Sequence, residues 1–239
     1  MDNLNLNQHI SKKFNEELED IRARVLKMGG VVEQQLKDAI ISLSEMNLTL
    51  AESVVTNDYK VNALEVSIDE ECTQILARRQ PAASDLRLVI AVIKTITDLE
   101  RIGDEAERVA KMAIHFSETK GHDNLLGGIL HLGEQVSEML HGALDAFARM
   151  DTHAAIKVAK SDSKADREYE SILRELMTFM MEDPRFIPYI LDVMWSARAL
   201  ERIGDRACNI CEYVIYLVNG KDVRHTSLEQ ILADENTEN

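Results

Sequence analysis

Six residues occur twice in this chain, and they constrain its fold more than any other feature. Leu99-Glu100-Arg101-Ile102-Gly103-Asp104 returns 101 positions later as Leu200-Glu201-Arg202-Ile203-Gly204-Asp205. A chance identity of that length has odds on the order of one in a thousand, so the chain reads as a duplicated unit. Each copy puts two carboxylates four residues apart inside a helical pattern. Like charges at that spacing share a face and repel. A cation near the face would resolve the conflict.

The duplication extends well beyond the hexapeptide. A first helix is expected from Asn7 to Met46, with an apolar seam through Ile21, Val25, Met28, Val32, Leu36 and Leu43 in steps of three and four. A second runs from Asn47 to Arg79 and stops before Pro81. Its seam contains two acids, Asp58 and Glu65. A third runs from Ser84, expected to cap it, to Ser117. The polar stretch from Lys120 to Asn124 reads as a linker, and then the pattern restarts. Gly29, Val32, Leu36 and Ala39 match Gly133, Val136, Leu140 and Ala143 at an offset of 104, as Asp58 matches Asp162. Gly 10, Pro 3 and 5% aromatics fit an all-α chain, and 45% hydrophobic residues suffice for a core. The expected fold is therefore a tandem duplication of a three-helix bundle, six long antiparallel helices in all. The first bundle spans 1–119, the second 120–220, and a polar tail 221–239. Gly29-Gly30 marks a bend or a close helix contact, and Gly103 a close approach by a neighbouring helix.

Charge narrows the partners. A net charge of −15 and a pI near 4.9 argue against nucleic acid and against adhesion to anionic lipid. Cations and basic protein surfaces are the complementary partners. No leader pattern precedes Lys12 and Lys13, and apolar runs such as Val89 to Ile93 are too short to span a bilayer. Three cysteines fit reduced thiols. The expectation is a cytoplasmic protein that does not insert into a membrane.

A short turn at Pro81 makes the second and third helices antiparallel neighbours. Reflection about it sets Asp58 level with Asp104, and Asn62 level with Glu100. Reflection about Pro184 sets Asp162 level with Asp205, and Asp166 level with Glu201. The candidate metal ligands are thus Glu100, Asp104 and Asp58 in one half, and Glu201, Asp205, Asp162 and Asp166 in the other. Oxygen-only sets suit Mg²⁺, Ca²⁺ or Mn²⁺, and clustered carboxylates also hold iron. Two other readings stand beside this one. The acids form a salt-bridged face, with Arg198 three before Glu201 and Arg108 four after Asp104; neither arginine recurs in the other half. Alternatively, Arg101 and Arg202 turn inward and neutralise them.

The remaining motifs are weaker. Cys208-x-x-Cys211 has no second pair at zinc spacing, and its first-half positions are Glu107 and Ala110. Glu138-x-x-His141 is half of a di-iron signature that needs two such helices. Trp195, Met177, Met180 and Met181 are expected in the core. No nucleophile–base pair or phosphate-binding loop is apparent.

The duplicated Glu-Arg-Ile-Gly-Asp resembles the PhoU family, as do the turns Gln80-Pro81-Ala82-Ala83-Ser84-Asp85-Leu86-Arg87 and Met180-Met181-Glu182-Asp183-Pro184. The resemblance covers essentially the whole chain. It implies two three-helix bundles with metal clusters on Glu/Asp-x-x-x-Asp motifs, here Glu100/Asp104, Glu201/Asp205 and Asp162/Asp166. Asn62 departs from the acid expected there. The resemblance further implies a non-enzymatic negative regulator of phosphate uptake and phosphate-starvation signalling, and a homodimer. Its partners would be the phosphate importer's ATPase subunit and a sensor histidine kinase. The other reading open to the residues is a carboxylate-bridged metal hydrolase or oxidase.

Overall fold

A computed structural model describes residues 4–118, 125–221 and 223, with side chains from Lys12 onward except that of Glu118. The expected linker Lys120 to Asn124 and most of the tail lie outside the described residues. Helices α1 (Leu4–Glu45), α2 (Leu48–Asn57), α3 (Tyr59–Arg79) and α4 (Ala83–Glu118) form the first half. Helices α5 (Gly127–Arg149), α6 (Thr152–Glu182) and α7 (Ile187–Asn219) form the second. The fold is all-α, a three-helix bundle built twice, and no strand occurs among the described residues. None of the described helices is long and apolar enough to cross a membrane.

The seams of the sequence are the core. Ile21, Val25, Met28, Val32, Leu36 and Leu43 are buried on α1, and Val92, Ile96, Leu99 and Ile102 on α4. The turns repeat as well. Met46 and Met150 both take a left-handed conformation, with φ of 51° and 54°. Each is followed by a side-chain cap: Leu50 N–H donates to Asn47 Oδ1 (3.1 Å), and Ala154 N–H to Asp151 Oδ1 (2.9 Å). Gly220 ends α7 at φ 72°, its N–H donating to the Tyr216 carbonyl.

Three expectations are corrected. The helix from Asn47 to Arg79 is broken at Asp58, whose carbonyl accepts from Val61 N–H at 2.9 Å and from Asn62 N–H at 3.5 Å, a local tightening between α2 and α3. Ser84 does not cap α4, which starts at Ala83; its hydroxyl faces Asp85 instead. Trp195 and Met181 are not core residues but are 64% and 76% exposed, and Met177 is exposed too. The buried stripe of α7 runs through Ile190, Val193 and Ala197, which turns Trp195 outward.

The two halves pack on each other through α1 against α5 and α4 against α7. The first contact is reciprocal. A Cβ on Gly29 would lie 2.6 Å from Leu144, and one on Gly133 would lie 3.0 Å from Ile40. Gly29 and Gly133 are repeat equivalents, and so are Ile40 and Leu144. The halves are therefore related by a pseudo-twofold axis, and the glycines are small because helices cross there.

The second contact is polar and buried. Asp98, 3% exposed, accepts from Arg206 Nη1 (3.1 Å), Asn209 Nδ2 (3.4 Å) and the Tyr213 hydroxyl (2.8 Å). Glu105, also buried, accepts from Arg202 Nη1 at 3.2 Å. The earlier α4 acid meets the later α7 arginine and vice versa, so α4 and α7 run antiparallel.

Candidate metal centre

Each hexapeptide sits mid-helix, on α4 or α7, with its glycine turned toward the earlier helices of its own half. A Cβ on Gly103 would lie 3.2 Å from Gln35 Oε1 and 3.4 Å from Asp58 Oδ1. One on Gly204 would lie 3.7 Å from Asp162 Oδ1. At Gly103 the missing side chain thus leaves room for Gln35 and Asp58 beside the motif, whereas at Gly204 a methyl would meet only ordinary contacts. Glu100 and Asp104 are half-buried on α4, and Glu201 is half-buried on α7 beside the more open Asp205.

In the second half the acids converge. Asp162 and Asp166 on α6 and Asp205 on α7 each offer an oxygen within 4.8 Å of the others. Oxygens on opposite sides of a bound Ca²⁺ lie about 5 Å apart and those around Mg²⁺ about 4 Å, so the spacing suits such an ion. Glu201 is close by but engaged: Arg198 Nη1 donates to its Oε1 at 2.8 Å, while Oε2 is buried without a partner. Burial, then Asp166 and Asp205, push the Asp162 carboxyl up to about 6. Glu201 is raised by burial and then by Asp205, and Asp205 by burial and then by Asp166. Three acids held above their ordinary range in one patch are a site short of positive charge.

The first half is arranged differently. Asp58 is tied by amides: Gln35 Nε2 donates to its Oδ1 at 2.8 Å and Asn62 Nδ2 to its Oδ2 at 3.3 Å. Glu100 and Asp104 stand near it and are raised by burial, then by Asp104 and Asp58 respectively. Among the described residues these three do not gather as Asp162, Asp166 and Asp205 do. Glu65 on α3, noted as a seam acid but not placed in the site, also belongs to this patch. Burial raises it, and Asp104 adds to the shift. Its second-half equivalent is Tyr169, so duplication alone could not flag it.

The arginines settle where the sequence left alternatives. Arg108 pairs with Glu105 at 3.2 Å rather than with Asp104. Arg202 crosses to Glu105 of the other half rather than turning to its own acids, and Arg101 is exposed. Only Arg198–Glu201 forms as the salt-bridge reading requires. His141 Nδ1 lies 2.8 Å from Glu33 on α1, away from the acid cluster. Cys211 is buried, and the half-buried Cys208 thiol bonds with Asp162. Burial first, then Asp162, push that thiol well up.

Comparison with known proteins matches this arrangement. The PhoU domain family fits residues 25–113 and again 129–214, one match per half. The phosphate-specific transport system accessory protein PhoU of Escherichia coli K12 is 50% identical over 242 residues, spanning 100% of both chains. The protein of the same description from Edwardsiella tarda is 54% identical over 238 residues, covering 98% of this chain and 97% of its own. A crystal structure of PhoU from Pseudomonas aeruginosa superimposes with a TM-score of 0.85 at 53% identity, over 87% of this chain and all of that one. The phosphate transport system regulatory protein PhoU from Streptococcus pneumoniae does so at 0.80 with 28% identity, over 88% and 99%. Duplicated bundle, duplicated motif and full-length kinship agree: the chain belongs to the PhoU family.

Proposed function

We propose that this chain is an accessory protein of a phosphate-specific transport system, acting as a regulatory adaptor and not as an enzyme. It restrains phosphate uptake and phosphate-starvation signalling by coupling the importer's ATPase subunit to a sensor histidine kinase, and it works as a homodimer in the cytoplasm. Kinship along the full length with proteins named as accessory and regulatory carries this reading. Deleting the gene tests it. Phosphate-starvation genes should then be expressed in phosphate-rich medium; a deletion strain that still represses them would overturn the regulatory role.

A divalent cation or an iron cluster belongs to the same reading, and the convergence of Asp162, Asp166 and Asp205 supports it. These residues would hold it, with Glu201 Oε2 as a further oxygen. When bound, it supplies charge neutralisation and a link between α6 and α7. The first-half acids Glu100, Asp104 and Asp58 form the lesser site, because amide donors already occupy Asp58. Elemental analysis of purified protein should find metal that is lost in D162N/D166N/D205N with the helical spectrum intact. Equal metal content in both proteins would sink this part.

A further inference from the structure

The pseudo-twofold between the halves is broken at the flanks of the α1–α5 crossing. On one side of the α1–α5 crossing, the Arg22 guanidinium donates to the Ala148 carbonyl at the end of α5. On the other side the equivalents of Arg22 and Ala148 are Leu126 and Ser44. Among the described residues no side chain donates to the Ser44 carbonyl, and a cleft of about 580 Å³ opens there between α1 and α5. Its floor is Leu36, Ile40, Ile41, Leu130 and Leu140.

The rim is acidic. Glu134 and Glu138, four apart on α5, are exposed and form no ion pair or side-chain hydrogen bond among the described residues. Such a pair repels itself. Glu33 stands opposite, held by His141, and among the described residues Lys37 is the one cation lining the cleft. The C-terminal end of α1, at Glu45, adds its partial negative charge beside Ser44. From Glu33 to Ser44 the cleft follows about three helical turns, roughly 17 Å.

We propose that this cleft is a docking site for a cationic amphipathic helix of a partner protein. An apolar stripe covers the floor. Lysines or arginines beside it meet Glu134, Glu138 and the end of α1, as Arg22 meets the end of α5. A second copy of this chain, at a net charge of −15, is a poor source of that positive flank. The proposal rests on the adaptor reading only in that an adaptor needs a partner surface. It is independent of the acid cluster.

The test uses the full chain and a fluorescein-labelled peptide of about 18 residues, with Leu at helical i, i+3, i+4 and i+7 positions and Lys elsewhere. The expected result is binding that E134K/E138K weakens at least tenfold. The same reversal at two exposed acids outside the cleft, E52K/E70K, changes it less than twofold. Ser44→Trp, which blocks the cleft mouth without touching the core, abolishes binding. Equal losses in both double variants would reduce the effect to diffuse charge and overturn the proposal, as would a Glu-for-Lys peptide that binds equally well. A monomer–dimer shift confined to the cleft variants would assign the cleft to a second copy and overturn it too. Failure here leaves the deletion phenotype untouched, so the docking site and the regulatory role fail separately.

Discussion

At the scale of single residues, the Asp162 carboxyl shows what the acid cluster does to the fold. Its value in the folded chain is about 6 against an ordinary 3.8, so folding favours the protonated form. The sign follows: that contribution is complete below about pH 4 and is lost as pH rises through 6. Without metal, stability should fall across this window by roughly 1–2 kcal/mol after allowance for solvent screening. Denaturant midpoints measured from pH 4 to 7 should show the fall, and Asp162→Asn should flatten it. The two motif glycines differ in the same quantitative way. A Cβ at Gly103 presses on Gln35, so Gly103→Ala should cost about 1 kcal/mol, whereas Gly204→Ala meets ordinary contacts and should gain up to about 1. Thermal midpoints of the two variants moving in the same direction would contradict this. The acids themselves were legible because duplication repeated them. Gln35 was not: the apolar period of α1 says which face is inward but not which side chain of that face reaches a carboxylate 23 residues away.

At the scale of elements, helix order and seams were present in the sequence, because burial writes a 3.6-residue period. The break between α2 and α3 was hidden, since Asp58 keeps the period and only the local hydrogen bonding changes. The α4–α7 interface was also hidden. Asp98 has Ala199 as its repeat equivalent, so no repetition announced it, and its partners lie more than a hundred residues away. Asp98→Ala removes the carboxylate that an arginine, an asparagine and a tyrosine share. The cost should be about 3 kcal/mol, read as a drop in unfolding free energy, and it should exceed the cost of removing any exposed ion pair such as Arg174–Glu170. Trp195 departs from the core because the inward face of α7 is set by Ile190, Val193 and Ala197, and a large apolar side chain off that face is left in solvent.

At the scale of the whole molecule, the crossing of α1 and α5 gives the sharpest contrast between adjacent residues. Gly29→Ala drives a methyl into Leu144 and should destabilise by roughly 1–3 kcal/mol, while Gly30→Ala meets nothing within 4 Å and should stabilise by about 0.5–1. Chemical unfolding of the pair decides it. The reciprocal contacts at Gly29 and Gly133 carry a further consequence. In an assembly of two identical chains, every substitution strikes both subunits at once. Here the two subunits are fused into one polypeptide, and each can drift alone while the shared crossing is preserved. That freedom is visible in the paired positions. Asn62 stands where the other half has Asp166, Gln35 where it has Met139, and Arg22 where it has Leu126. Fusion has let one half specialise its carboxylates, the other quieten them, and a single flank of the crossing stay open.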